Sequence, residues 1–182
     1  MVERNAGPEH ALCGRVFRVF ETRDGKKIRI RGVCPGDKEG LVSFYERLSL
    51  ETIYTRFFSI IRYFEPYVDK LIRGNALVVI AEDMDTGDIV GVAEAIPQGD
   101  KAEGGIVVLE TYQGRGIGMA MARALNKVLW ERGVRAVVGY ILPDNVGAFR
   151  LVKRLGGEIK RYYESMVLAE IPVRADERDK VS

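Results

Sequence analysis

A chain of 182 residues, 47% hydrophobic and 30% charged, has the size and balance of one soluble domain with a substantial core. A net charge of +2 is too small to argue for nucleic acid, and no apolar run approaches the ~18 residues of a membrane span or forms a signal-peptide core. One histidine, His10, and two cysteines, Cys13 and Cys34, offer no metal-ligand spacing and no histidine base in the body of the fold.

Residues 1–13 read as an irregular, flexible N-terminus that includes His10. Residues 14–172 read as the single folded domain, and 173–182 as a flexible charged tail. Segments 15–20 and 26–33 alternate apolar and polar residues around Arg23-Asp24-Gly25, which predicts a β-hairpin. Two cysteines are too few for a secreted disulfide framework, so they read as reduced and half-buried in a cytoplasmic protein. A bridge across the hairpin is the alternative.

Pro35-Gly36-Asp37 opens a helix with Leu41, Phe44, Tyr45 and Leu48 at helical spacing. Ser49 is placed to cap a second helix carrying Tyr54, Phe57, Phe58 and Ile61. Segment 64–73 is a third, closed by Gly74. Eight aromatic residues fall in this region: Phe44, Tyr45, Tyr54, Phe57, Phe58, Tyr63, Phe64 and Tyr67. Most are expected in the core. Segments 76–81 and 89–96 are apolar strands about a turn at residues 85–88, followed by a polar loop at 98–102 and a strand at 104–109.

Next comes Gln113-Gly114-Arg115-Gly116-Ile117-Gly118, leading into an amphipathic run that buries Ile117, Met121, Leu125 and Val128. Strand, glycine turn and helix leave backbone N–H groups uncovered at a helix N-terminus, a cradle for phosphate oxygens. The dinucleotide fingerprint is excluded, because Met119 or Met121 stands at its last glycine. A P-loop is excluded, because no Lys-Ser/Thr follows. Gly133 ends the helix. Residues 135–142 form a strand, 145–155 a short helix, and 158–163 and 166–171 two final strands. Interleaved strands and helices suit a mixed sheet flanked by helices.

Gln113, Gly116 and Gly118 occupy the defined places of the [QR]-x-x-G-x-[GA] motif, and the chain thereby resembles the GNAT acetyltransferases. Asn145, Ala148, Leu151 and Gly156 match a second family element, N-x-x-A-x-x-L-Y-x-x-x-G-F, although its Tyr is Val152 here and its final Phe is Gly157. Leu48, Ser49, Tyr54, Arg56, Phe57 and Phe58 resemble a segment of the Pat-type protein lysine acetyltransferases. The resemblance implies an α/β (α+β) GNAT fold, with a central, mixed, mostly antiparallel sheet of six to seven strands. It implies acetyl-CoA as co-substrate and no metal. The pyrophosphate would lie on the amides of Gln113, Gly114, Arg115, Gly116, Ile117, Gly118 and Met119, and the pantetheine along Ile106, Val107 and Val108, with Asn145 as a further cofactor contact. The helices before residue 74 would form one wall of the acceptor groove, lined by one or two of the aromatic rings.

Attack of an amine on a thioester needs the neutral amine, and a lysine with pKa ≈ 10.4 is neutral about once in two thousand at pH 7. A carboxylate is the available base. The resemblance points to Glu103, ten residues before Gln113. Glu94 is the rival, read as solvent-facing on an alternating strand, and Glu110 is read as solvated. The cysteines are remote from both motifs, so a covalent route has little support. A thiol with pKa ≈ 8.5 leaves with little acid assistance, which makes Val152 tolerable; Tyr162 and Tyr163 are alternative donors, with packing the preferred role. Arg115 and the face Arg150, Lys153, Arg154 offer positive charge to an anionic cofactor. The reading is acetyl transfer to a protein lysine. Transfer to a small amine or protein N-terminus, or a non-catalytic CoA-binding sensor, are the alternatives. Oligomeric state is not legible.

Overall fold

In the computed structural model, which describes residues 10–175, the chain runs β1 (Val16–Glu21), β2 (Lys27–Gly32), α1 (Lys38–Arg47), α2 (Leu50–Phe57), α3 (Glu65–Arg73), β3 (Leu77–Asp83), β4 (Ile89–Gln98), β5 (Lys101–Val108), α4 (Ile117–Glu131), β6 (Ala136–Ile141), α5 (Val146–Arg154), β7 (Glu158–Tyr162) and β8 (Val167–Pro172). The strands form one sheet in the order β1-β2-β3-β4-β5-β6-β8-β7. All pairs are antiparallel except β5 with β6. The sheet therefore has eight strands rather than six to seven, because both strands of the first hairpin join its edge.

The apolar run at 77–81 does not alternate, so it must be covered on both faces. β3 is accordingly buried along its whole length. On β4, Gly91 faces α4, where an added Cβ would stand 2.8 Å from the Met121 methyl. Glu94 has the opposite parity and faces Arg56 of α2. The two helical layers thus take opposite faces of the sheet. The burial expected for Ile117, Met121, Leu125 and Val128 on α4 is observed.

Two local expectations are corrected. The polar segment 98–102 is not a loop: Gln98 pairs with Lys101 across Gly99-Asp100, and the positive φ of Gly99 (65°) closes the hairpin that tightly. The second helix stops at Phe57 rather than reaching Ile61, because Phe58 is left-handed at φ 58°. Ser49 does cap that helix, accepting from the Thr52 amide.

The expected irregular N-terminus, residues 1–13, lies partly outside the described residues, and its described end is packed. His10 is buried. It accepts from the Leu12 amide at Nδ1 (3.2 Å), and its Nε2 lies 2.8 Å from the Ala76 carbonyl. Nδ1 as acceptor makes Nε2 the protonated nitrogen of a neutral ring. Burial in turn lowers its pKa. Leu12 is in the core, and its carbonyl lies so close to Gly32 that a Cβ there would meet it at 1.8 Å.

Cys13 and Cys34 form a disulfide, which corrects the reading of reduced thiols and settles on the cross-hairpin alternative. The two lie 21 residues apart. They come together because the segment after His10 folds back along β2. Closing a loop of this length restricts the unfolded chain by about 3 kcal/mol. Reduction is expected to lower the melting temperature by on the order of 10 °C, measured by thermal denaturation with and without a dithiol. An unchanged midpoint would show that the bridge contributes nothing.

Candidate active site

Strand β5 is the spine of the site. Its antiparallel pairing with β4 runs its full length, from Lys101 opposite Gln98 to Val108 opposite Gly91. Its parallel pairing with β6 has three pairs and ends at Glu103 opposite Val138. β6 continues beside β8 to the Ile141–Val167 pair. The two strands therefore splay after Glu103. The edge of Gly104, Gly105, Ile106, Val107 and Val108 that faces the gap has no strand partner. Such backbone groups require another partner, and an extended polar ligand suits the gap.

The glycine turn stands at one end of this open edge. Gly114 and Gly116 have φ of 75° and 80°, which only glycine adopts at little cost, and an added Cβ at either would meet nothing within 4 Å. Gly116 is the N-cap of α4, and no side chain caps that helix. The first amides of α4, those of Ile117, Gly118 and Met119, therefore point out of a 15-residue helix as free donors backed by its dipole. Gln113 braces the turn by donating to the Val108 carbonyl at 3.0 Å. Arg115 is committed elsewhere. Its guanidinium pairs with Asp24 and donates to the carbonyls of Thr111 and Gln113, tying the turn to the first hairpin. Its side chain is thus a brace of the turn. Asn145 is the N-cap of α5, its Oδ1 accepting from the Ala148 amide, so its structural duty is to start that helix. Arg150, Lys153 and Arg154 are exposed along α5.

At the other end lies a cleft of about 210 Å³ between β4–β5 and helices α2 and α3. It brings Glu94 and Glu103 together, with Arg56, Phe57, Tyr67, Lys70 and Asn75. The register explains why. Glu103 sits opposite Ile96, and Glu94 opposite Gly105, so all four share one face. Phe57 and Tyr67 are the rings that line it, while Phe44, Tyr45 and Phe64 are core.

The two carboxylates differ in setting. Glu94 is 7% exposed, and both Arg56 and the Tyr67 hydroxyl donate to its Oε1. Tyr45 donates in turn to Tyr67, and burial raises the pKa of both phenols. The solvent-facing reading of Glu94 is therefore corrected. It is a buried anion neutralised by a half-buried cation, and the helix that supplies Arg56 is on its face of the sheet. Gly105 permits this, since a Cβ there would stand 2.5 Å from the Arg56 guanidinium. Glu103 is exposed in the cleft and has no hydrogen-bond or ion-pair partner among the described residues.

Removing one member of a buried pair strands the other. Arg56→Ala is expected to cost about 3 kcal/mol in urea denaturation, and adding Glu94→Gln should recover much of it. A cost well under ~1 kcal/mol would mean that water reaches the pair freely.

The places of Glu110, Val152, Tyr162 and Tyr163 complete the set of side chains that the sequence singles out. Glu110 is not simply solvated. Burial opposes its ionisation, but hydrogen bonds from Thr52 and Ser49 outweigh that and bring its pKa down to about 2. Its Oε1 accepts from the Ser49 amide at the N-terminus of α2, which anchors one wall of the cleft to the end of β5. Val152 is 6% exposed and packs with Ile141 and Ala169, so this place in the chain is core. Gly157 faces Val152 across a gap that a Cβ would overfill, at 2.8 Å. Tyr162 and Tyr163 are exposed, with Arg161 over the Tyr163 ring. Arg56 stood within a recognised segment but carried no assigned role, and Tyr67, Lys70 and Asn75 were not assigned to the site. The only sequence signal for them is the spacing Tyr67, Lys70, Leu71, Gly74, a single helical stripe that lines the cleft.

Among the described residues no cluster of side chains could hold a metal ion, and no helix is long and apolar enough to cross a membrane. A model of the acetyltransferase (GNAT) family matches residues 41–157. The chain is similar to acetyltransferase Pat of Mycolicibacterium smegmatis, 28% identical over 159 residues, covering 84% of this chain and 48% of that protein. It thus spans about half the length of that curated relative. The GNAT domain of PAT from S. lividans superposes with a TM-score of 0.77 at 27% identity, covering 85% of this chain and 96% of that one. The PaiA N-acetyltransferase of Thermoplasma acidophilum, solved with coenzyme A, shares the fold at 20% identity, with a TM-score of 0.62 over 80% of this chain and 98% of that one.

Proposed function

The chain belongs to the acetyltransferase (GNAT) family, and we propose on that premise that it is an N-acetyltransferase moving an acetyl group from acetyl-CoA to the side-chain amine of a protein lysine. One observation carries the reading. The uncapped glycine turn and the partnerless Glu103 stand at opposite ends of the same unpaired strand edge. A donor with its pyrophosphate on the amides of residues 113–119 and its pantetheine along Ile106, Val107 and Val108 delivers its thioester beside Glu103.

In this reading the amine enters the cleft and Glu103 accepts its proton, directly or through water. The nitrogen attacks the thioester carbon, strand amides polarise the carbonyl, and the CoA thiolate leaves. No covalent enzyme intermediate is involved, since both cysteines are joined in a disulfide at the far side of β2. Glu94 is not the base, because Arg56 and Tyr67 hold its carboxylate. A lysine acceptor is supported by the likeness to Pat proteins and by a cleft open to an amine on a long arm. A cytoplasmic setting remains the reading, and it requires a compartment in which an intracellular disulfide persists, as in hyperthermophiles.

The test is release of CoA thiol when the protein meets acetyl-CoA and a lysine-rich protein, with acetyl sites mapped by mass spectrometry. Acetylation of lysine side chains is the expected result. Acetylation of N-termini or small amines alone would replace the acceptor. Tight acetyl-CoA binding with no release across the whole panel would make the protein a sensor.

A further inference from the structure

The cleft contains an amine of its own. Lys70 lies on the stripe of α3 that faces it, with Tyr67 about one turn before it and the C-cap Gly74 about one turn after it. The cleft is lined by two cations, Arg56 and Lys70. Arg56 is consumed by Glu94. The neighbouring acid on α3, Asp69, is paired with Lys38. Lys70 is exposed and, among the described residues, has no carboxylate within ion-pair distance. Glu103 is the carboxylate of the same cleft without a partner. A free amine on a flexible four-carbon arm and a free base therefore share one small space.

We propose that Lys70 is a self-acetylation site, modified in its own molecule. The inference rests on the acetyl-transfer reading and extends it to this residue. The neutral Nζ attacks the thioester carbonyl carbon. The N–C bond forms and the C–S bond breaks. The proton from Nζ passes to Glu103 and on to the departing CoA thiolate, so lysine and acetyl-CoA become acetyl-lysine and free CoA. Two physical factors favour this amine over others on the surface. Its effective concentration at the thioester is that of a tethered group, and Glu103 stands ready to take its proton. The product removes the one unpaired positive charge from the cleft wall and adds bulk to it, so modification narrows the space through which an acceptor enters.

The full chain is incubated with acetyl-CoA carrying a carbon-13-labelled acetyl group, and label is quantified at each lysine by peptide mass spectrometry. Lys27, exposed and outside the cleft, reports chemical acetylation. Lys70 should label at least about tenfold faster than Lys27, and Glu103→Gln should bring it down to the Lys27 rate. The fraction labelled per unit time should not change on dilution of the protein. Labelling of Lys70 no faster than Lys27, labelling indifferent to Glu103→Gln, or a rate proportional to protein concentration would each overturn the proposal. A parallel reaction with a lysine-rich acceptor separates the two readings. Glu103-dependent acetylation of that acceptor with Lys70 unlabelled removes only this inference, whereas no acetylation of either removes the enzymatic reading.

Discussion

Glu103→Gln is expected to lower turnover by about two to four orders of magnitude while leaving the affinity for acetyl-CoA unchanged. The substitution keeps the shape of the side chain and removes its capacity to accept a proton. At neutral pH the acceptor amine is then limited to its small neutral fraction, which rises about tenfold per pH unit up to its pKa ≈ 10.4. The residual rate of the variant should follow that rise. Glu94 cannot compensate, although it lies on the same face two residues along the neighbouring strand. Moving it from Arg56 would leave a half-buried guanidinium without its partner. Steady-state kinetics and equilibrium binding on the same preparation separate the two quantities. Turnover within a few-fold of the original would remove Glu103 as the base.

Gly116→Asp is expected to weaken acetyl-CoA binding by at least about a hundredfold, close to 3 kcal/mol. Two effects add. A non-glycine residue at φ 80° is strained in the left-handed region. A carboxylate at the N-cap of α4 also puts negative charge where the phosphates would sit and competes for the same amides. Gly116→Ala separates them. It carries the conformational penalty without the charge, and the open space around this position means that a methyl group meets no steric obstacle. Alanine should therefore lose much less affinity than aspartate in a calorimetric titration. Undiminished binding by the aspartate variant would mean that the phosphates lie elsewhere.

Much of the architecture was readable one segment at a time. The hairpin around Gly25, the Ser49 cap, the amphipathic face of α4 and the strand–glycine turn–helix unit follow from local rules of backbone freedom and periodicity. Errors arose where a residue's state depends on something distant in sequence. Glu94 alternates correctly for a solvent-facing position, yet Arg56, from a helix 38 residues earlier, covers it. For Cys13 and Cys34 the sequence left the bridge as the less favoured alternative, because the return of the N-terminal segment along β2 is set by Leu12 in the core and His10 against Ala76. The packed His10 was missed for the same reason.

By itself the sequence determined the glycine turn and the uncapped helix that starts from it. Positive-φ glycines followed by an uncapped helix are a local device, written in adjacent residues, because backbone torsion and helix start are decided by near neighbours. The state of the two carboxylates in the cleft was decided by tertiary structure. Which carboxylate is neutralised, which is free, and which lysine shares its cleft depend on strand register and on helices laid across the sheet. Charge compensation acts through space at a few ångströms, and sequence separation carries almost no information about that distance.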